Sequence, residues 1–199
     1  MPVFYLNGIV YMLVRISVNV TMTIQPFYLE LVPFFCSTPD EPTSRALALV
    51  PLISYTAQIV FSILLQPVMN DRLKSVTSQM VLAIIIMKTG SYPLAFMHDG
   101  NKRLVYYFAA VQGVGHLIML NTATVLISDV IGDDTEQSAF VYGVYSFLDK
   151  LANGLILFYI VQNYSSDPFM LKWIMALTPP ICTILAFVFT QIGLRYSRK

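Results

Sequence analysis

The chain has 199 residues, 56% of them hydrophobic and only 12% charged, with a formal net charge of +1. Soluble domains carry about 25% charged residues, so this composition excludes a water-soluble globular protein, and the near-neutral balance implies no nucleic-acid partner. A mean hydropathy of +0.67 suits a chain dissolved in membrane lipid, whose length divides into about six spans with almost nothing left over.

The first span covers about 4–29 and is interrupted by Arg15, Asn19 and Gln25. It is long and lacks a small-residue cleavage site, which argues against a cleaved signal peptide. The segment 30–45, with Pro33, Pro39 and Pro42, is predicted to be a loop. The second span, 47–69, runs out at Pro67 and the polar stretch Asn70-Asp71-Arg72-Leu73-Lys74. A third, 77–97, contains Lys88, Gly90 and Pro93, and the residues 98–103 turn the chain. The fourth, 104–131, carries Gln112 and His116. An acidic link, 129–136, leads to the fifth span at 138–164, and Asp133 or Asp134 is placed to cap the helix that follows. The sixth, 170–196, holds Pro179-Pro180, where a bend is expected. Lys and Arg near the tail and in the second-to-third link favour a cytoplasmic C-terminus, hence a cytoplasmic N-terminus too. Cys36 and Cys182 are isolated and suggest neither a disulfide framework nor a metal site, and no cofactor is implied.

The fifth span is the most informative, because Asp149 and Lys150 sit side by side near its middle. An ionisable side chain there costs at least about 2.5–3.5 kcal/mol unless it faces protein, water or an opposite charge. Tyr142, Ser146, Asp149 and Asn153 recur at spacings of three and four and are predicted to form one stripe, with Lys150 about a quarter-turn aside. Two readings fit. Neighbouring helices neutralise the charges for packing alone, or the residues line a substrate or ion pathway.

In the first span Arg15, Asn19 and Thr23 share a face, flanked by Tyr11. Arginine stays protonated, so Arg15 needs a carboxylate such as Asp149, backbone carbonyls or an anionic ligand. His116 is a candidate proton relay by its near-neutral reference pKa, or a hydrogen-bonded structural residue. Asp71, Arg72 and Lys74, with Asp129 at the end of the fourth span, are placed to form a charged gate on the cytoplasmic side. No nucleophile–base pair, metal spacing or phosphate loop points to an enzyme.

These motifs fall into a known order. Asp129-Val130-Ile131-Gly132, then Ser138-Ala139-Phe140-Val141-Tyr142-Gly143, then the run from Ser146 to Leu155, with Tyr11-Met12, Arg15 and Val18-Asn19 before them, resemble the cation symporters of the glycoside–pentoside–hexuronide type in the major facilitator superfamily. The resemblance implies an all-α transmembrane fold: a six-helix C-terminal half-bundle spanning 1–199, with the N-terminal half of a twelve-helix transporter lying outside the chain. Lys150 and Asp129 match family positions near the central binding region and at the end of the tenth helix.

By the same resemblance the implied function is symport of a small polar solute with a proton or cation. Cysteine import into lysosomes or melanosomes leads, with Arg15 on the amino acid's carboxylate and Asp149 on its ammonium or paired with Lys150. A sugar at the plasma membrane and a non-transporting membrane scaffold are the alternatives. The implied partners are membrane lipid, the solute, the coupling ion, and either the other half or a second copy of this chain.

Overall fold

Backbone polar groups cannot be left bare in hydrocarbon, so each apolar span closes its own hydrogen bonds as a helix. The structure, a computed structural model, describes residues 2–31, 43–71, 75–97, 104–132 and 135–197. The helices are α1 (Pro2–Leu31), α2 (Thr43–Asp71), α3 (Val76–Ser91), α4 (Leu104–Ile131), α5 (Thr135–Tyr164) and α6 (Pro168–Ser197). Counting a short extension of α3, all six are long and apolar enough to cross a membrane.

The helix ends follow local chemistry. The third span, predicted as one helix, is α-helical only to Ser91 and continues as a 3₁₀ turn over Tyr92–Phe96. Pro93 has no N–H to offer the carbonyl of Thr89, so the α ladder stops and the chain tightens. α4 ends at Gly132, whose φ of +60° few other residues adopt. Its N–H donates to the carbonyl of Ser128 at 3.0 Å. α6 starts from Asp167, whose Oδ1 accepts from the N–H groups of Phe169 and Met170, with Pro168 at the first helical position. It continues as one helix through Pro179 and Pro180. The expected caps Asp133 and Asp134 lie outside the described residues.

The helices form three layers. α1 and α4 pack together in the middle, and α6 and α3 close one side, α6 against α1 and α3 against α4 and α6. On the other side α5 rests on α1 and α2 on α4, while α2 and α5 do not pack closely against each other among the described residues. The apolar windows of α2 and α5 are 11% and 22% buried, against 39–44% for the other four. One side of the bundle is therefore finished and the other is open.

Two large apolar clusters and a smaller one of Ile127, Val141 and Tyr145 fill the interior among the described residues. Of the large ones, one holds Ile24, Tyr28, Leu29, Val50, Val105 and Met175, the other Val10, Val14, Met80, Met87, Met119 and Ala186. Polar pairs cross between helices: Gln112 Nε2 donates to Ser91 Oγ at 2.9 Å, Thr122 Oγ1 to Gln79 Oε1 at 3.0 Å, and Gln191 Nε2 to Thr77 Oγ1 at 3.0 Å. Each contributes about 0.6 kcal/mol in a membrane, so their value is in fixing register. α2 reaches α4 at Gly113, where an added Cβ would collide with the carbonyl oxygen of Ser54.

Candidate functional site

Two ridges of spacing four meet where α5 lies on α1. On α1, Tyr11, Arg15, Asn19 and Thr23 are all half-buried. On α5, Val141, Tyr145, Asp149 and Asn153 are all buried. Ridges of this spacing are the rows by which helices interlock. The stripe expected from sequence shares only Asp149 and Asn153 with the observed ridge. Tyr142 is 45% exposed and Ser146 is half-buried, because the contact row drifts around α5 and the bulk of Tyr145, not Tyr142, fills its start.

The centre of the contact is an ion pair. Arg15 Nε donates to Asp149 Oδ2 at 3.3 Å. Asn153 Nδ2 donates to Asp149 Oδ1 and also, at 2.8 Å, to the Asp149 carbonyl. Both carboxylate oxygens thus have a donor, which offsets the cost of burying a side chain only 5% exposed in mid-span. The Arg15 side chain keeps 35% exposure. Its two terminal nitrogens have no hydrogen-bond partner among the described residues, and the buried Asn153 Oδ1 accepts no bond.

One turn earlier, Tyr145 anchors the same contact. Its hydroxyl donates to the Phe4 carbonyl, and its ring lies 5.1 Å from that of Phe4 and 6.2 Å from that of Tyr11. Sequence reasoning missed Tyr145. The signal was its place in the i, i+4 row through Asp149. Tyr145→Phe is expected to cost about 0.5–1.5 kcal/mol, the usual net worth of one hydrogen bond, read by titrating the folded chain with SDS and following circular dichroism.

Lys150 points elsewhere. It is exposed and makes no ion pair among the described residues. The exposed surface of α5 is divided: Phe140, Phe147, Leu151, Leu155 and Phe158 lie on one side, and Gly143, Ser146, Lys150 and Gly154 on the other. The large apolar side suits lipid, and the small polar side with its lysine suits water or another helix. Arg15, Asp149 and Lys150 together leave one positive charge in excess.

The remaining candidates are scattered. His116 is fully buried, with Nε2 3.4 Å from Ser17 Oγ and Nδ1 without a partner. Ser17 is two residues beyond Arg15, about 200° around α1, so His116 sits on the opposite side of that helix from the ion pair. Asp129 is exposed near the end of α4 and unpaired among the described residues. Asp71 ends α2, and Arg72 and Lys74 lie outside the described residues.

A human and a mouse protein, both named major facilitator superfamily domain-containing protein 12, are each 34% identical to the chain over 154 residues, and a horse protein of that name is 32% identical over the same length. This chain is their homologue. The match covers 77% of this chain and 30% of each relative, so the chain spans under a third of their length in the aligned part. Its six helices are each long and apolar enough to cross a membrane. No family model matches the chain, and no solved structure matches it.

Proposed function

We propose that the chain is one half, the C-terminal one, of a secondary active transporter that carries a small polar solute together with a proton or cation. The observation that carries this reading is the Arg15–Asp149–Asn153 cluster in mid-span, with the unpaired Lys150 one residue away. A pair serving packing alone would need no spare cation and no half-exposed guanidinium. The open layer of α2 and α5 is where a second six-helix half, another segment or another copy of this chain, completes the path.

The excess positive charge and the free terminal nitrogens of Arg15 suit a solute with a carboxylate. A zwitterionic amino acid fits, with cysteine carried into lysosomes or melanosomes as the leading candidate. Tyr11, Asn19, Tyr142 and Asn153 offer the aromatic and amide groups that a neutral sugar uses, at the plasma membrane, and that is the competing solute. His116 is the proposed proton carrier on the inner side of α1. Asp129 with Asp71, Arg72 and Lys74 is the proposed cytoplasmic gate.

The test is uptake of labelled cysteine and labelled hexose into vesicles containing the longest product of the gene. Lys150→Ala should lower uptake about tenfold to a hundredfold, as loss of a charge-assisted hydrogen bond predicts, without changing protein abundance. Unchanged uptake ends the assignment of Lys150. Uptake of neither solute, from a folded product, favours the non-transporting scaffold.

A further inference from the structure

The closed side of the bundle carries a feature that the transport reading does not use. A groove of about 550 Å³ runs between α3 with its 3₁₀ extension and α6, lined by Lys88, Thr89, Tyr92, Leu177, Ile181 and Ile184. It lies in the α3/α6 layer, on the far side of α1 and α4 from the open α2/α5 layer. Lys88 is exposed there and forms no ion pair among the described residues. The Thr89 hydroxyl is already spent on the carbonyls of Ile85 and Ile86. The hydroxyl of Tyr92, a residue 49% exposed, donates to no partner among the described residues.

The depth of Lys88 can be read from its neighbours. Tyr92 and Phe96 have ring centroids 5.3 Å apart, Phe96 and Trp173 6.0 Å, and Phe169 and Trp173 6.3 Å. Such an aromatic group settles at the boundary between hydrocarbon and headgroups. Lys88 lies one helical turn, roughly 5.4 Å, inside Tyr92. An aliphatic stem of this length suits the apolar lining of the groove, and Lys88 is exposed there and forms no ion pair among the described residues. A bare ammonium at that depth is costly, and an anion beside it removes the cost.

We propose that this groove holds one anionic phospholipid, independently of whether the protein transports. A phosphate oxygen accepts from Lys88 Nζ and the Tyr92 hydroxyl, and an acyl chain lies along Leu177, Ile181 and Ile184. An uncharged lipid would fill the apolar floor and leave the lysine bare. A choline headgroup would add a second cation beside it.

The full chain, purified in mild detergent and offered equal amounts of phosphatidylglycerol and phosphatidylcholine, is read by native mass spectrometry. The expected result is one retained phosphatidylglycerol, favoured about tenfold, the ratio that one charge-assisted hydrogen bond supplies. Lys88→Gln should abolish the preference and Lys88→Arg should keep it. Ile181→Trp should fill the groove and lower retention of both lipids. Circular dichroism checks that each variant is folded, and Ile181→Trp decides alone if Lys88→Gln is not. Equal retention of the two lipids, an undiminished preference in Lys88→Gln, or undiminished lipid retention in Ile181→Trp overturns the proposal. So does a photocrosslinker in place of Ile184 that labels a protein rather than lipid in cells.

Discussion

Arg15→Met is expected to cost the folded chain about 3–5 kcal/mol, the usual penalty for stranding one member of a buried ion pair. The reason is asymmetric exposure. Asp149 is 5% exposed and the Arg15 side chain 35%, so removing the arginine leaves a carboxylate sealed against α1 with Asn153 as its one remaining side-chain donor among the described residues. Arg15→Met with Asp149→Leu should return most of that loss, because two apolar side chains leave no charge to satisfy. Lys150→Met should cost under about 1 kcal/mol, since an exposed and unpaired lysine contributes little to folding. SDS titration of the unaltered chain and the three variants, followed by circular dichroism, reads each of these losses. If the double variant is as damaged as Arg15→Met, the ion pair is not what holds α5 to α1. Uptake, by contrast, should fall in all three variants.

Gly113→Ala is expected to destabilise the chain by about 2–3 kcal/mol, near the top of the range for overpacking. The new methyl would meet the backbone carbonyl of Ser54 on α2, with Ser54 Oγ only 3.0 Å away. Backbone in a packed helix cannot step aside, so α2 must lift from α4. Gly115→Ala is the control in the same helix, because its methyl would meet the thioether of Met87, and methionine repacks readily. That variant should cost under about 1 kcal/mol by the same titration. Equal losses at the two positions would mean that α2 is not seated through Gly113.

The six spans were legible because lipid imposes a length and an apolarity that no other fold requires. What failed was finer. Pro93 and Gly90 were visible inside the third span, yet periodicity says nothing of a change from α to 3₁₀ geometry, which depends on one missing donor. Asp149 and Asn153 were legible as members of one stripe with Tyr142 and Ser146. Their companion was misassigned, since a stripe at spacings of three and four cannot tell whether Tyr142 or Tyr145 meets the neighbouring helix. That choice is made by α1, through Phe4 and Tyr11 and by the absence of a Cβ at Gly8, where one would come within 2.9 Å of the Tyr145 ring. The Arg15–Asp149 contact was open in the sequence as one of several possibilities, because partners separated by 134 residues leave no local trace. Lys88 was legible as an intramembrane charge and nothing more, until α6 supplied the other wall of its groove.

That separation of 134 residues is also a delay in time. At about 5–20 residues per second, a ribosome needs roughly seven to thirty seconds to travel from Arg15 to Asp149. α1 is made before α5, the helix that neutralises it, with α2, α3 and α4 between them. For that interval the newborn segment bears a guanidinium whose counter-ion has not been synthesised. Release into the bilayer before α5 arrives would carry the cost of an unpaired guanidinium, about 2.5–3.5 kcal/mol.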